Sequence, residues 1–431
     1  MKPAPMPIAR RIATPLVLMA LLLSTDARSQ EAHPGAIGRN IDELIAIARS
    51  MNPEIQVMAL EADAATAKAA GAGSLADPKI QFAVEDWRRD FPSYAPAGST
   101  AYTTKKLRLT QELPFWGKRD LKREIAEAGA KKAAILKRAV ENDLMAKLKV
   151  AYAEYHQAHQ AIDLAKNLRG RMEILSRLAG LRYAQGLGRQ QDVTRAEVEK
   201  AMIDAEIARM EAERQKARVR VNRLLSRELS APLVETLSAR PIPPKAALDL
   251  PVLVDRAQTG NPEQLAQDAI IEGADRTVSL AEKGWYPDFE VGVGTVRKEG
   301  RWDSYEAMVS LNIPLQWGLR NAEIGEAKAM AAAARQKRKA RENELGGEVQ
   351  EAYFALESAR RIETLLRENS LPQAEIGFQA AAKSYELGRT EFLDVLMAEQ
   401  QLWKTQIELL RVHLDQQMRL AEIEKLIGSE L

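Results

Sequence analysis

The chain has 431 residues, with 62 Lys and Arg against 60 Asp and Glu, and no cysteine. A near-zero charge balance lacks the concentrated basic surface that nucleic-acid binding demands, and the absence of thiols excludes disulfides and thiolate metal sites. Charged residues at 28% and aromatics at 5% describe long solvated helices rather than a thick globular core.

Residues 1–29 read as a secretory signal. Lys2, Arg10 and Arg11 precede an apolar run from Ile12 to Leu23, and Ala27 and Ser29 are the small residues ahead of a cut. The run falls short of the ~20 residues of a spanning helix, and no later segment reaches that length. Export without a transmembrane helix is therefore expected, and with no cysteine the new N-terminus takes no lipid anchor.

A first unit, 30–229, opens with a short helix and an Asn52-Pro53 helix start, followed by a second helix to about Leu75. Ile80, Phe82 and Val84, then Leu107, Leu109 and Leu113, alternate with polar residues, which predicts a β-hairpin over about 79–113 with one apolar face. The loop of that hairpin is placed at Arg88 to Ala101, rich in Pro, Ser, Gly and Ala. A coiled-coil hairpin over about 118–227 follows. Its outgoing helix, Lys118 to Tyr183, would span ~100 Å at ~1.5 Å per residue. After the turn Gly186-Leu187-Gly188 the return helix carries a seam of small residues, including Ala196, Ala201, Ala205 and Ala208.

A Pro-rich linker, 230–251, leads to a second unit, 252–431, that repeats the first: a β-hairpin over about 288–313 and a coiled-coil hairpin over about 320–427. Asn52-Pro53-Glu54 recurs as Asn261-Pro262-Glu263, and Gly117 as Gly318. Tyr183, Gly186, Asp192, Val193, Ala196 and Glu197 recur 202 positions on as Tyr385, Gly388, Asp394, Val395, Ala398 and Glu399. Pro372 is expected to bend the second outgoing helix, Arg320 to Tyr385.

Strands in a bilayer must close into a barrel, because an open edge leaves backbone groups without partners. Four candidate strands are too few, since bacterial barrels start at about eight, so several copies would have to share one barrel. The competing reading is a small soluble sheet packed against the helices.

The pattern Tyr-x-x-Gly-x-x-x-x-x-Asp-Val-x-x-Ala, standing as Tyr183 to Ala196 and again as Tyr385 to Ala398, resembles the tip of the TolC family of outer-membrane efflux proteins. Glu112-Leu113-Pro114-Phe115-Trp116-Gly117-Lys118-Arg119 further resembles its heavy-metal efflux branch, which works with RND pumps. The resemblance implies a mainly α chain with a membrane β-barrel portion, assembled as a homotrimer with a twelve-stranded barrel and a twelve-helix tunnel. It implies an outer-membrane location extending into the periplasm, and partnership with outer-membrane lipid, a periplasmic adaptor and an inner-membrane RND pump. The function implied is a passive exit duct for heavy-metal cations. Alternatives are a multidrug or type I secretion duct, or a soluble periplasmic helical scaffold. Two departures stand out: many relatives in the metal branch are lipidated at a cysteine, and Met397 occupies the place of a second tip aspartate.

Asp394 and Asp192 are gate candidates, because a carboxylate repeated around an axis makes an anionic ring; the plainer reading is a helix N-terminal carboxylate meeting the helix dipole. By analogy with the family, Tyr385 and Arg389 tie the tip closed through Asp192. Gly186, Leu187 and Gly388 form the adaptor-contact turns, with positive φ expected at the glycines. Trp116 and Trp317, at the strand-to-helix changes, suit an interfacial aromatic belt or packing in a collar. His156 and His159 have no evident third ligand, and a solvated helix face accounts for both. No Ser-His-Asp order, phosphate loop or clustered metal ligands are present, so neither catalysis nor a cofactor is expected.

Overall fold

The computed structural model describes residues 37–85, 104–234, 240–298 and 301–431. The signal segment and the loop Arg88–Ala101 lie outside the described residues.

Two short helices come first, α1 (Ile41–Met51) and α2 (Pro53–Ala72). Strands β1 (Lys79–Glu85) and β2 (Thr104–Leu113) follow, then α3 (Lys118–Ala184) and α4 (Gln190–Leu224). The succession then runs a second time: α5 (Leu250–Gly260), α6 (Pro262–Glu282), β3 (Asp288–Lys298), β4 (Arg301–Asn312), α7 (Trp317–Leu365), α8 (Leu371–Glu386) and α9 (Phe392–Ile427).

The two asparagines ahead of the prolines explain how each series is anchored. Asn52 Oδ1 accepts from the Glu54 N–H at 2.8 Å while its Nδ2 donates to the Leu224 carbonyl at 2.9 Å. Asn261 Oδ1 accepts from the Glu263 N–H at 2.9 Å, and its Nδ2 donates to the Leu426 carbonyl, also at 2.9 Å. Each side chain thus starts one helix and ties it to the end of the return helix, which is why it is buried. Around these ties lie two apolar clusters. One joins α1 to α3 and α4 through Leu44, Leu148, Tyr152 and Val221; the other joins α5 to α7 and α9 through Leu253, Leu345, Val349 and Ile423.

Pro372 does not break its helix. The five residues Leu366–Ser370, immediately before α8, form a π turn. A wider turn re-registers the ladder where proline supplies no N–H and its ring crowds the preceding turn.

The four strands make one antiparallel sheet in the order β1-β2-β3-β4. Period two places Ile80, Phe82, Leu107, Leu109, Val293 and Val309 on one face, which is broadly exposed. The opposite face is polar and internally paired: Arg108 meets Glu306 at 3.0 Å, and Lys106 meets Glu85 at 2.6 Å and Glu306 at 3.7 Å. β1 and β4 are the outer strands of this open sheet.

Candidate functional site

At the far end of the long helices, two turns lie side by side. In each, a glycine takes a left-handed conformation, Gly186 at φ 72° and Gly388 at φ 73°. The same pair of bonds closes both. Gly186 N–H donates to the Tyr183 carbonyl at 3.0 Å and Leu187 N–H to the Arg182 carbonyl at 2.9 Å. Gly388 N–H donates to the Tyr385 carbonyl and Arg389 N–H to the Ser384 carbonyl, both at 2.9 Å. These are Schellman closures, in which a glycine avoids the penalty a Cβ would meet.

The surroundings of the two turns differ. Tyr385 is 2% exposed and meets Phe392 edge-on at 5.5 Å, within an apolar cluster with Met172, Leu175, Ile203 and Val395. Tyr183, its counterpart in the repeat, is 48% exposed. Arg182 of α3 explains the difference. Its guanidinium lies over the Tyr385 ring at 4.8 Å and donates to the Tyr385 carbonyl, the Glu386 carbonyl at 3.4 Å and the Leu187 carbonyl at 3.2 Å. One side chain therefore grips both turns. Burial raises the Tyr385 hydroxyl above its usual range, the nearby Asp192 carboxylate pushes the same way, and Arg182 opposes them. The hydroxyl has no hydrogen-bond partner among the described residues.

The remaining tip residues fall into place around that grip. Arg189 and Glu391, which precede α4 and α9, pair across the turns at 3.0 Å. Asp394 is exposed and accepts from the Glu391 N–H at 3.2 Å, half of a capping box at the start of α9. Asp192 is half-buried in the first turn of α4, and its N–H donates to the Arg189 carbonyl at 3.1 Å. Arg389 is exposed, and its side chain forms no ion pair among the described residues; Arg182 stands where the sequence pointed to Arg389. Leu187 is exposed beside Gly186.

A second grip lies higher on the same helix. Arg171 donates to Glu399 of α9 at 2.9 Å and its guanidinium lies 5.8 Å from the Phe378 ring of α8. Glu399 is 1% exposed, and burial raises its carboxyl above the usual range even though Arg171 pulls it down. Arg171 and Arg182 are eleven residues apart, three helical turns, and so share a face of α3. That spacing was the available signal, hidden among the many basic residues of a solvated helix.

At the other end, Trp116 and Trp317 are exposed where strand gives way to helix. Trp116 meets Phe115 at 5.3 Å and Phe289 at 5.6 Å, and Trp317 meets Trp285 at 5.5 Å. Lys118 fixes the junction by pairing with Asp288 and donating to the Tyr286 carbonyl at 2.9 Å. Among the described residues no cluster of three His, Cys, Asp or Glu could hold a metal ion, and no helix is long and apolar enough to cross a membrane.

The family model described as outer membrane efflux protein matches residues 44–227 and 253–429, taking in both series of elements. The chain belongs to the outer membrane efflux protein family. It is thus an efflux channel subunit of the outer membrane, in a family of ducts rather than enzymes. The cobalt-zinc-cadmium resistance protein CzcC of Cupriavidus metallidurans is 25% identical, over 97% of this chain and 100% of its own length. The outer-membrane channel OprN has the same fold, with a TM-score of 0.78 at 19% identity over 90% of each chain. So does CusC, which forms a transmembrane channel, with a TM-score of 0.76 at 16% identity over 92% of this chain and 93% of that one.

Proposed function

We propose that this efflux protein is the exit duct of a heavy-metal export system, built from three copies. The two series of elements are tandem repeats, 30–229 and 252–431 joined by the linker 230–251, and residues 1–29 are the export signal. Each copy contributes four strands to a twelve-stranded barrel and four long helices to a tunnel through the periplasm. The open sheet carries this reading: its apolar face is exposed and its two edges have no partner strand among the described residues, so a bilayer and neighbouring copies would satisfy both. Full-length similarity to a cobalt-zinc-cadmium resistance protein supports the metal cargo.

At the tunnel's lower end the paired turns are the gate. Arg182, Tyr385 and the Arg189–Glu391 pair hold the second hairpin against the first, and three copies of Asp394 and Asp192 line the constriction. Gly186, Leu187 and Gly388 present the surface that meets a periplasmic adaptor, which links the duct to an inner-membrane RND pump; Trp116 and Trp317 sit at the periplasmic boundary of the outer membrane. Metal choice would rest with the pump and passage through the duct would be passive.

Membrane extraction and metal sensitivity test this. The protein should stay with membranes washed in carbonate and leave only in detergent, as a trimer. Deleting it should lower resistance to cobalt, zinc and cadmium. Release by carbonate would refute the barrel, and unchanged metal resistance would refute the cargo.

A further inference from the structure

We propose that the groove between α3, α4 and α9 is a binding site for small amphipathic organic cations, held by Glu399, Glu199 and the ring of Trp403. The site depends on neither the barrel nor the metal cargo, because one chain supplies every wall. α3 packs against both α4 and α9, and the cavity the three helices share measures about 450 Å³. That size suits a drug-sized molecule.

The walls select an apolar body. Leu168 and Met172 of α3 and Ile203 of α4 line the groove with buried side chains, and Met202 beside them is exposed. Trp403 of α9 is half-buried and packs on the same apolar cluster. Mostly apolar walls with a few convergent polar groups are the usual make-up of a small-molecule site, and an indole face attracts a cation.

The polar groups select the charge. Arg171 brings Nε and Nη2 to the same oxygen of Glu399, Oε1, at 2.9 Å and 2.8 Å. Oε2 is buried with no hydrogen-bond partner among the described residues, although a forked guanidinium would satisfy both oxygens. Glu199, half-buried on α4, has no ion pair among the described residues. The neighbouring charges are committed: Glu206 pairs with Arg209 at 2.8 Å, Arg169 with Asp204 at 2.6 Å, and Glu173 with Lys200 at 2.9 Å. The groove thus sets the carboxylates of Glu199, Glu206 and Glu399 against the guanidinia of Arg171 and Arg209, which leaves one negative charge in excess. Burial keeps the Glu399 carboxyl raised even beside Arg171, as befits a carboxylate short of positive partners. A cation with N–H donors on an apolar ring supplies what is missing, and a neutral ring of the same shape does not.

The test is fluorescence polarisation of two probes titrated with the full-length, detergent-purified protein, after subtraction of protein-free detergent. Proflavine is a planar cation with N–H donors; acridine has the same ring frame and is uncharged at neutral pH. Wild type should bind proflavine at least tenfold more tightly than acridine. Glu399→Gln should weaken proflavine tenfold or more, Glu199→Gln roughly fivefold and Trp403→Leu about fivefold, while acridine changes little in the two Gln variants. Glu199→Asp, which keeps the charge, should retain most of the affinity. Equal binding of the two probes by wild type, or proflavine binding that survives both Gln substitutions, overturns the proposal. So does a loss on Asp394→Asn in place of Glu199→Gln, which would put the cation at the tip. Failure of the barrel or of the metal cargo would show separately, in carbonate release or unchanged metal resistance.

Discussion

The tip and the sheet of this protein are finished to different degrees. At the tip a single chain brings its own parts together: Tyr385 is covered, Arg182 reaches three carbonyls, and opposite charges on Arg189 and Glu391 meet across the turns. At the sheet the apolar side chains lie open, with Tyr305 86% exposed and Val309 76%. Among the described residues, the backbone edges of β1 and β4 have no partner strand. The contrast teaches that one region is set within a single chain, while the other is an open sheet that, on the proposed reading, other copies and a bilayer complete.

The largest effect should come from attacking the open sheet. Val293 lies mid-sheet, opposite Leu109 and Ala307. Val293→Arg should cost ~2–4 kcal/mol if that face meets hydrocarbon. Trimer recovered from membranes should fall accordingly, as read on a non-denaturing gel, and normal assembly would place the face away from lipid.

Arg182→Ala attacks the tip. Charge-assisted hydrogen bonds contribute about 1.5–3 kcal/mol each, so losing this grip should shift the tip toward open by tenfold or more. Conductance in planar bilayers should rise, whereas an unchanged trace would remove Arg182 from the gate. Asn261→Ala, which leaves the tip untouched, should lower thermal stability by about 0.5–2 kcal/mol through the lost cap, without altering conductance.

The pH response should be smaller. Glu399 faces Arg171 on α3, and Glu199, Glu206 and Arg209 of α4 line the same groove. Its carboxyl is raised in the packed tip relative to a solvated, released one. The packed state therefore holds the proton more tightly: its advantage is full below the ordinary glutamate value and lost as pH rises through the raised one. Conductance should climb from acid toward neutral pH, and Glu399→Gln should flatten that slope. The smallest change is expected from Tyr385→Phe, because the hydroxyl has no partner among the described residues to lose. A large rise in conductance would mean that the hydroxyl, not the ring, closes the tip.

Much of this architecture was legible from periodicity. The outgoing helix expected from Lys118 to Tyr183 runs from Lys118 to Ala184, and the alternation around Val291 and Val309 marks strands β3 and β4. Repetition also located the turns at Gly186 and Gly388. Repetition could not say which tyrosine is covered, since Tyr183 and Tyr385 share one motif and differ only through the packing of one hairpin on the other. Motif analogy pointed to Arg389, but a guanidinium three turns below Arg171 on α3 makes the contact, and helix surfaces rich in Arg give no sign of which one is used. Glu399 stood out as a repeat landmark, yet its burial depends on α3 lying against α9, a long-range contact that local pattern does not encode.

The sharing of strands between copies can be tested directly, because the chain has no cysteine of its own. Single cysteines at Ala83 and neighbouring positions of β1, each combined with one at Ser304 or nearby in β4, should be oxidised in intact membranes and resolved on a denaturing gel. A ladder ending at covalent trimer is the predicted result. Monomer alone at every combination, from membrane-inserted protein, would contradict it.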